Sequence, residues 1–192
     1  SVNVAGNLGS FSQLDDDTQL AVAAAIESLS SRWPNDDEVA IAATLLARFK
    51  QDWPLAESLI TPVLQRSPND VRSIMLWTQL QIDQSVEDPL ERLVDAIADY
   101  PENTELRLQY ARLLGAEGDY SGARAQFAIL LELEPNNPDM ISTAALLDFE
   151  LELYDAALAK FLQLIALEAR LDEAFYYVGR IRAAEDRYPE AI

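Results

Sequence analysis

Neither cysteine nor histidine occurs among the 192 residues, and this double absence removes much of the usual chemistry of enzymes. No disulfide can form, a condition compatible with cytoplasm and with periplasm. Zinc sites of the Cys/His type, thiol nucleophiles and imidazole general bases are all excluded. Glycine is scarce, with 6 residues, and Gly6-Asn-Leu-Gly9 has neither a following lysine nor a preceding strand, so it is no phosphate-binding loop. No apolar run approaches the roughly 18–20 residues that cross a bilayer. Alternating β-branched runs bounded by hairpin turns are also missing, so strands are not expected. Basic residues are few: 14 stand against 33 acidic ones, a formal net charge of −19. Such a surface repels phosphate backbones and anionic headgroups, which argues against nucleic acid and against direct membrane contact. Much of this acid belongs on a solvated outer face; the functional alternative is faster encounter with a basic partner.

Carboxylates are the remaining candidates for catalysis or metal binding. Asp15-Asp-Asp17 and Asp36-Asp-Glu38 each precede a predicted helix, where acid caps the first turn and meets the positive end of the helix dipole. They are read as caps. No catalytic residue, metal ligand or cofactor is assigned.

Apolar residues make up 49% of the chain, enough for a continuous core, and they recur at a fixed interval. Tyr120, Tyr154 and Tyr188 are 34 residues apart, as are Ala123, Ala157 and Ala191, and Phe127 and Phe161 keep the same offset. A period of roughly 20–50 residues signals stacked supersecondary units. Stacks of this kind present extended concave surfaces, so binding is expected rather than catalysis.

Residues 104–137 show the unit most completely. Leu106, Tyr110, Ala111, Leu113 and Leu114 make an apolar stripe of helical period, and Gly118-Asp119 breaks it. Ala123, Phe127, Leu130 and Leu131 share one face of a second helix, which Pro135-Asn-Asn stops. Ala111 and Ala123 allow close approach of the two helices, with Tyr120 and Phe127 filling the space beside them. On these residues the chain resembles the tetratricopeptide repeat (TPR) family, which is small at position eight, aromatic at seventeen, alanine at twenty, bulky at twenty-four and proline at thirty-two. Residues 138–171 keep Ala145, Tyr154, Ala157 and Phe161 but carry Ala169 in place of the proline. Residues 37–70 keep Trp53, Ala56, Ile60 and Pro68. Residues 71–103 are one short and the most divergent, with Pro89 expected at the start of their second helix.

The resemblance implies an all-α fold, a right-handed α-solenoid of helix-turn-helix repeats. The expected organisation is a flexible arm over 1–14 and a single array over 15–192. The array comprises a helix over 15–33 with Leu20, Ala23, Ala24 and Ile26 inward, repeats 37–70, 71–103, 104–137 and 138–171, and a partial repeat 172–192. The array stops inside a second helix at Ile192, which implies a longer natural protein. It also leaves Phe175, Val178 and Ile181 without their expected cover, an apolar patch that favours self-association.

The family's inner surface is built from first-helix positions. Carried over, they are Arg72, Met75, Leu76, Gln79 and Ile82; Glu105, Leu108, Gln109 and Arg112; Ser142, Thr143, Leu146 and Phe149; and Glu173, Tyr176, Tyr177 and Arg180. The resemblance thus implies partner binding by Arg72, Met75, Gln79, Leu108, Gln109, Arg112, Thr143, Leu146, Tyr176, Tyr177 and Arg180. Leu108 and Gln109 stand where carboxylate-clamping members carry Lys and Asn, so that ligand class is not implied. Tyr177 or Tyr176 has a second reading, as packing for a following repeat.

Asp172-Glu-Ala-Phe-Tyr-Tyr-Val-Gly-Arg-Ile-Arg182 with Tyr188-Pro-Glu-Ala-Ile192 is similar to segments of multi-TPR outer-membrane lipoproteins of Gram-negative bacteria. In that group such a protein is an adaptor for a periplasmic carboxyl-terminal processing protease. The resemblance implies a periplasmic, outer-membrane-anchored full-length protein, with cytoplasm the alternative. Three functions follow as expectations: a non-catalytic scaffold holding a protein or peptide on its concave wall, a self-assembling structural module, and the regulatory domain of a larger enzyme.

Overall fold

The computed structural model describes residues 13–185. Among the described residues the regular structure is helical: α1 (Asp16–Arg32), α2 (Asp37–Phe49), α3 (Trp53–Arg66), α4 (Val71–Asp83), α5 (Glu91–Asp99), α6 (Thr104–Ala116), α7 (Tyr120–Leu133), α8 (Pro138–Glu150), α9 (Tyr154–Ala166) and α10 (Leu171–Glu185). The chain divides into two compact units, residues 1–100 and residues 101–192. In the first, α2 pairs with α3, α1 packs on α2, and α3 and α5 pack on α4. In the second, α6 pairs with α7 and α8 with α9, while α7 meets α8 and α9 meets α10. The fold is all-α, of the TPR solenoid class. The expected arm over 1–14 falls almost wholly outside the described residues, as do Tyr188 and Ala191.

Seven of the ten described helices start where the sequence offers a short acceptor, whereas α5 and α9 follow Leu90 and Leu153, which supply none. Asp15, Asp36, Asp52, Asp70, Asn103, Asp119 and Asn137 are N-caps whose side chains accept backbone N–H groups of the first turn. The acidic runs at 15–17 and 36–38 therefore have a local structural task. Pro138 opens α8 at a position where a missing N–H costs nothing.

The turns inside the hairpins repeat more faithfully than the side chains do. Gln51, Ser85, Gly118 and Glu152 all have positive φ, between 55° and 84°, and lie 34, 33 and 34 residues apart. Each one ends a first helix in the same way. The N–H of the following residue returns to a carbonyl five residues back: Asp52 to Ala47 at 2.9 Å, Val86 to Gln81 at 3.0 Å, Asp119 to Leu114 at 2.9 Å and Leu153 to Asp148 at 2.8 Å. This is the Schellman closure, which satisfies carbonyls left open at a helix end. Asp52 and Asp119 also cap the next helix, so a single residue ends one helix and begins another.

Small residues set the helix spacing. Thr44, Thr78, Ala111 and Ala145 hold the eighth position of their repeats, and all are buried. Ala56, Ala123 and Ala157 hold the twentieth and are buried too. A methyl group added at Gly115 would stand 3.9 Å from the Ala123 Cβ, ordinary contact between α6 and α7. Phe127 sits in one cluster with Ala111, Leu130, Met140 and Ala144, and Phe161 in another with Ile141, Ala145, Leu164 and Ile181. Between these clusters the buried carboxylate of Asp148 accepts hydrogen bonds from Arg124 and Lys160, joining α7, α8 and α9.

Four expectations need correction. Leu20 is 71% exposed and Ala24 is exposed, so α1 buries Ala23 and Ile26 alone of the expected four. Tyr120 is 42% exposed; the filling beside Ala123 comes from Phe127. Pro89 lies ahead of α5, in a loop that replaces the first turn of a second helix, and α5 has 9 residues where α3 and α7 have 14. Ile181 is fully buried, so of the three residues expected to lack cover, Phe175 is the exposed one and Val178 is half-buried.

Two predictions follow from this packing. Ala157→Trp forces an indole into a site with no exposure and should cost about 1–3 kcal/mol or more, read from urea unfolding; near-wild-type stability would contradict the helix crossing. At the turns, an added Cβ on Gly118 meets nothing within 4 Å, so Gly118→Ala reports backbone strain alone. It should destabilise by about 1 kcal/mol, while Glu152→Gly should stabilise by up to about 1 kcal/mol. Equal signs for the two substitutions would refute the left-handed turn.

Candidate partner-binding surface

In the first unit the expected wall residues on α4 are largely occupied by α2. The Arg72 guanidinium donates to both oxygens of Glu38, at 2.9 and 2.6 Å. Gln79 donates to Asp83 at 3.1 Å, and Asp83 also accepts from Arg48 at 2.6 Å. Partial burial works to raise the Asp83 carboxyl, but the hydrogen bonds from Arg48 and Gln79 outweigh it and hold the group below the usual carboxylate range. That pairing therefore contributes stability above the unfolded carboxylate range and loses it as the pH falls through the lowered value. Met75 and Ile82 are half-buried, whereas Leu76 is buried and offers a partner nothing.

In the second unit the α6 residues are modestly placed. Gln109 donates to Glu105, and Leu108 packs against the cluster around Phe127. Arg112 is exposed, and among the described residues it has no ion pair. On α8, Thr143 is exposed but returns its hydroxyl hydrogen to the Asp139 carbonyl at 2.8 Å. Leu146 packs on the cluster around Phe161. Ser142 is buried and donates to Glu173 at 2.6 Å, a bond from α8 to α10. Arg170 ties the same corner by pairing with Asp139 and Glu173.

That bond helps bring α8 and α10 together, and their rings converge. Tyr177 stacks on Phe161 with centroids 5.0 Å apart and planes 2° from parallel. Its edge also meets Phe149 at 5.0 Å and Tyr176 at 5.1 Å. Tyr154 of α9 adds an edge contact to Phe149 at 5.6 Å. The Arg180 guanidinium lies 4.8 Å from the Phe149 centroid, 5.7 Å from that of Tyr176 and 5.8 Å from that of Tyr177. Helical geometry accounts for this: Tyr176 and Arg180 are four residues apart and share a face of α10, with Tyr177 one step round toward the core.

The residues divide by role. Tyr177 is half-buried and acts as support, clamped between Phe161 and Phe149. Tyr176 is 59% exposed and Arg180 is exposed, so these two present the cluster outward. Tyr154 and Phe161 were not foreseen as parts of this surface. Their signal was present in the repeat positions seventeen and twenty-four, where it reads as core.

Comparison with known proteins matches this architecture. The tetratricopeptide repeat profile matches residues 87–147. No curated protein is close enough in sequence to count as a relative. Among solved structures, the MamA protein superposes with a TM-score of 0.58 at 16% identity, covering 81% of this chain and 85% of its own. A tetratricopeptide repeat protein from Parabacteroides merdae gives 0.57 at 20% identity over 78% of this chain and 61% of its own. YrrB, described as a TPR protein with an unusual peptide-binding site, gives 0.54 at 18% identity over 80% of each chain. The chain thus has the fold of the tetratricopeptide repeat proteins, with the repeat signature matched in residues 87–147.

Proposed function

We propose that the chain is a non-catalytic interaction scaffold that captures a segment of a partner protein on the α8–α10 face of its second unit. The carrying observation is the state of Arg180. Among the described residues of this acid-rich chain, Arg48, Lys50, Arg66, Arg72, Arg124, Lys160 and Arg170 are engaged by carboxylates in ion pairs. Arg180 forms none among the described residues and instead rests against three rings. Stacking removes rotamer freedom while leaving the N–H edges able to donate, the condition in which arginine and tyrosine become binding hot spots. A partner would lay an apolar or aromatic side chain on Tyr176 and offer an acceptor oxygen to Arg180. Arg112 and Thr143 would extend the contact. The peptide-binding site described for YrrB, a structural neighbour, supports the same use of the fold.

A narrower proposal takes the partner to be a periplasmic carboxyl-terminal processing protease or its substrates, with the full-length protein held at the outer membrane. It rests on the segment 172–192 and its likeness to multi-TPR lipoproteins. Self-assembly is favoured by one observation, the 58% exposure of Phe175 beside Tyr176.

A photo-crosslinking residue at Tyr176, compared with one at exposed Ile129 of α7, separates these readings in native cells. The scaffold reading expects a partner protein captured from position 176 and not from 129, with Arg180→Glu lowering capture about tenfold or more at unchanged helicity. Capture of a second copy from 176 would establish self-assembly instead. Capture from 129 alone would move the working face to the opposite helices.

A further inference from the structure

The repeat that departs most from the period also builds a cavity. In the other repeats the second helix begins two residues after the left-handed turn residue, at Trp53, Tyr120 and Tyr154, whereas α5 begins at Glu91, six residues after Ser85. The loop that replaces the missing helical turn leaves a cavity of about 650 Å³ against α4. This lies within the ~300–1,000 Å³ range of ligand pockets. Trp77 of α4 lines it together with apolar Pro68, Val86, Pro89 and Ala96. Glu87, Asp88, Glu91, Asp95 and Asp99 also belong to its lining.

The chain already places a cation in this space. The Arg92 guanidinium lies 5.0 Å from the Trp77 ring centroid, so the indole face accepts a positive group in the geometry observed. Among the described residues no ion pair engages any of the five carboxylates, and Arg92 takes part in none. One cation therefore shares the cavity lining with five carboxylates that form no ion pair among the described residues. The apolar walls suit the aliphatic stems of long basic side chains, whose charged heads stay with the carboxylates.

We infer that this cavity receives lysine or arginine side chains of a basic peptide segment, which take the place of Arg92 over Trp77. The site is in the first unit and shares no residue with the α8–α10 face, so either can fail without the other. The Trp77 face recognises the incoming cation, the walls take its stem, and the carboxylates raise its local concentration.

The test is a titration with an acetyl- and amide-capped hexalysine peptide at about 0.15 M ionic strength, where long-range attraction is screened. The readout is the indole N–H resonance of each tryptophan. Trp77 should shift saturably while Trp33 and Trp53 stay in place. The same peptide with every Nε acetylated should leave Trp77 unmoved. Arg92→Ala removes the internal competitor and should tighten binding about 2- to 5-fold. Arg32→Ala removes the same charge from α1 and should change affinity less than twofold. Equal tightening by both variants, equal binding of the acetylated peptide, or shifts shared by all three tryptophans would overturn the proposal. Trp77→Leu should weaken binding at least about threefold; should it unfold, Asp95→Asn takes its place, compared with Glu117→Gln outside the cavity. No difference within the pair used would also overturn it.

Discussion

Close approach of two helices requires residues that project little, and the packing of this protein starts there. Ala111 and Ala123 meet around one aromatic ring, Phe127, and Ala145 and Ala157 around another, Phe161. A large residue at any of the four would separate the helices by more than the neighbouring rings could fill, because protein interiors are packed like crystals and yield little. In the first unit threonine does the same work at 44 and 78. Thr44 settles its hydroxyl on the Ala40 carbonyl at 2.8 Å, so a polar atom is hidden without being stranded. Once the spacing is fixed, the rest follows in order. The Schellman turns have a set distance to cover, and α8 and α10 come near enough for Ser142 to reach Glu173. The rings of Phe149, Tyr176 and Tyr177 can then carry Arg180 on their outer side.

The repeat was legible in the sequence because its determinants are local and side-chain based. Alanine at 123 and 157, phenylalanine at 127 and 161, and the asparagine and aspartate caps each announce themselves by identity and spacing. The turns were less legible. Gly118 marks its left-handed backbone plainly, but Gln51, Ser85 and Glu152 adopt the same conformation with side chains that give no hint of it. There the tertiary pairing of two helices overrides local preference, a strain of about 1–2 kcal/mol per residue that the packing sustains. Exposure at α1 was misread for a related reason. Leu20 fits an apolar stripe, yet the stripe is wider than the face that α2 covers.

The interaction surface divides the same way. Family positions located Tyr176, Tyr177 and Arg180 on α10 and Phe149 on α8, but position alone does not distinguish a side chain that waits for a partner from one already engaged. Arg72 and Arg180 have equal standing in sequence. In the structure the first is held by both oxygens of Glu38, and the second rests on rings. Leu76 and Ser142 also stand at inner-surface positions of the family, yet both are buried. The cavity beside Trp77 was less visible still, since it arises from a missing helical turn, and a gap leaves only a shortened repeat and a proline as its trace.

The spacing of the left-handed residues, 34, 33 and 34, locates where the array gives way. Ser85 keeps its register with Gln51, so the lost residue falls after it, on the side of the hairpin that holds the loop and α5. Size variation is thereby confined to one flank, while the opposite flank keeps its phase. Loops joining ordered elements at the surface are where chains best tolerate inserted length. The stretch from Val86 to Leu90 is thus a natural port: descendants of this protein could lengthen it, or an engineer could splice an epitope into it, with the hairpins on either side left to close as before.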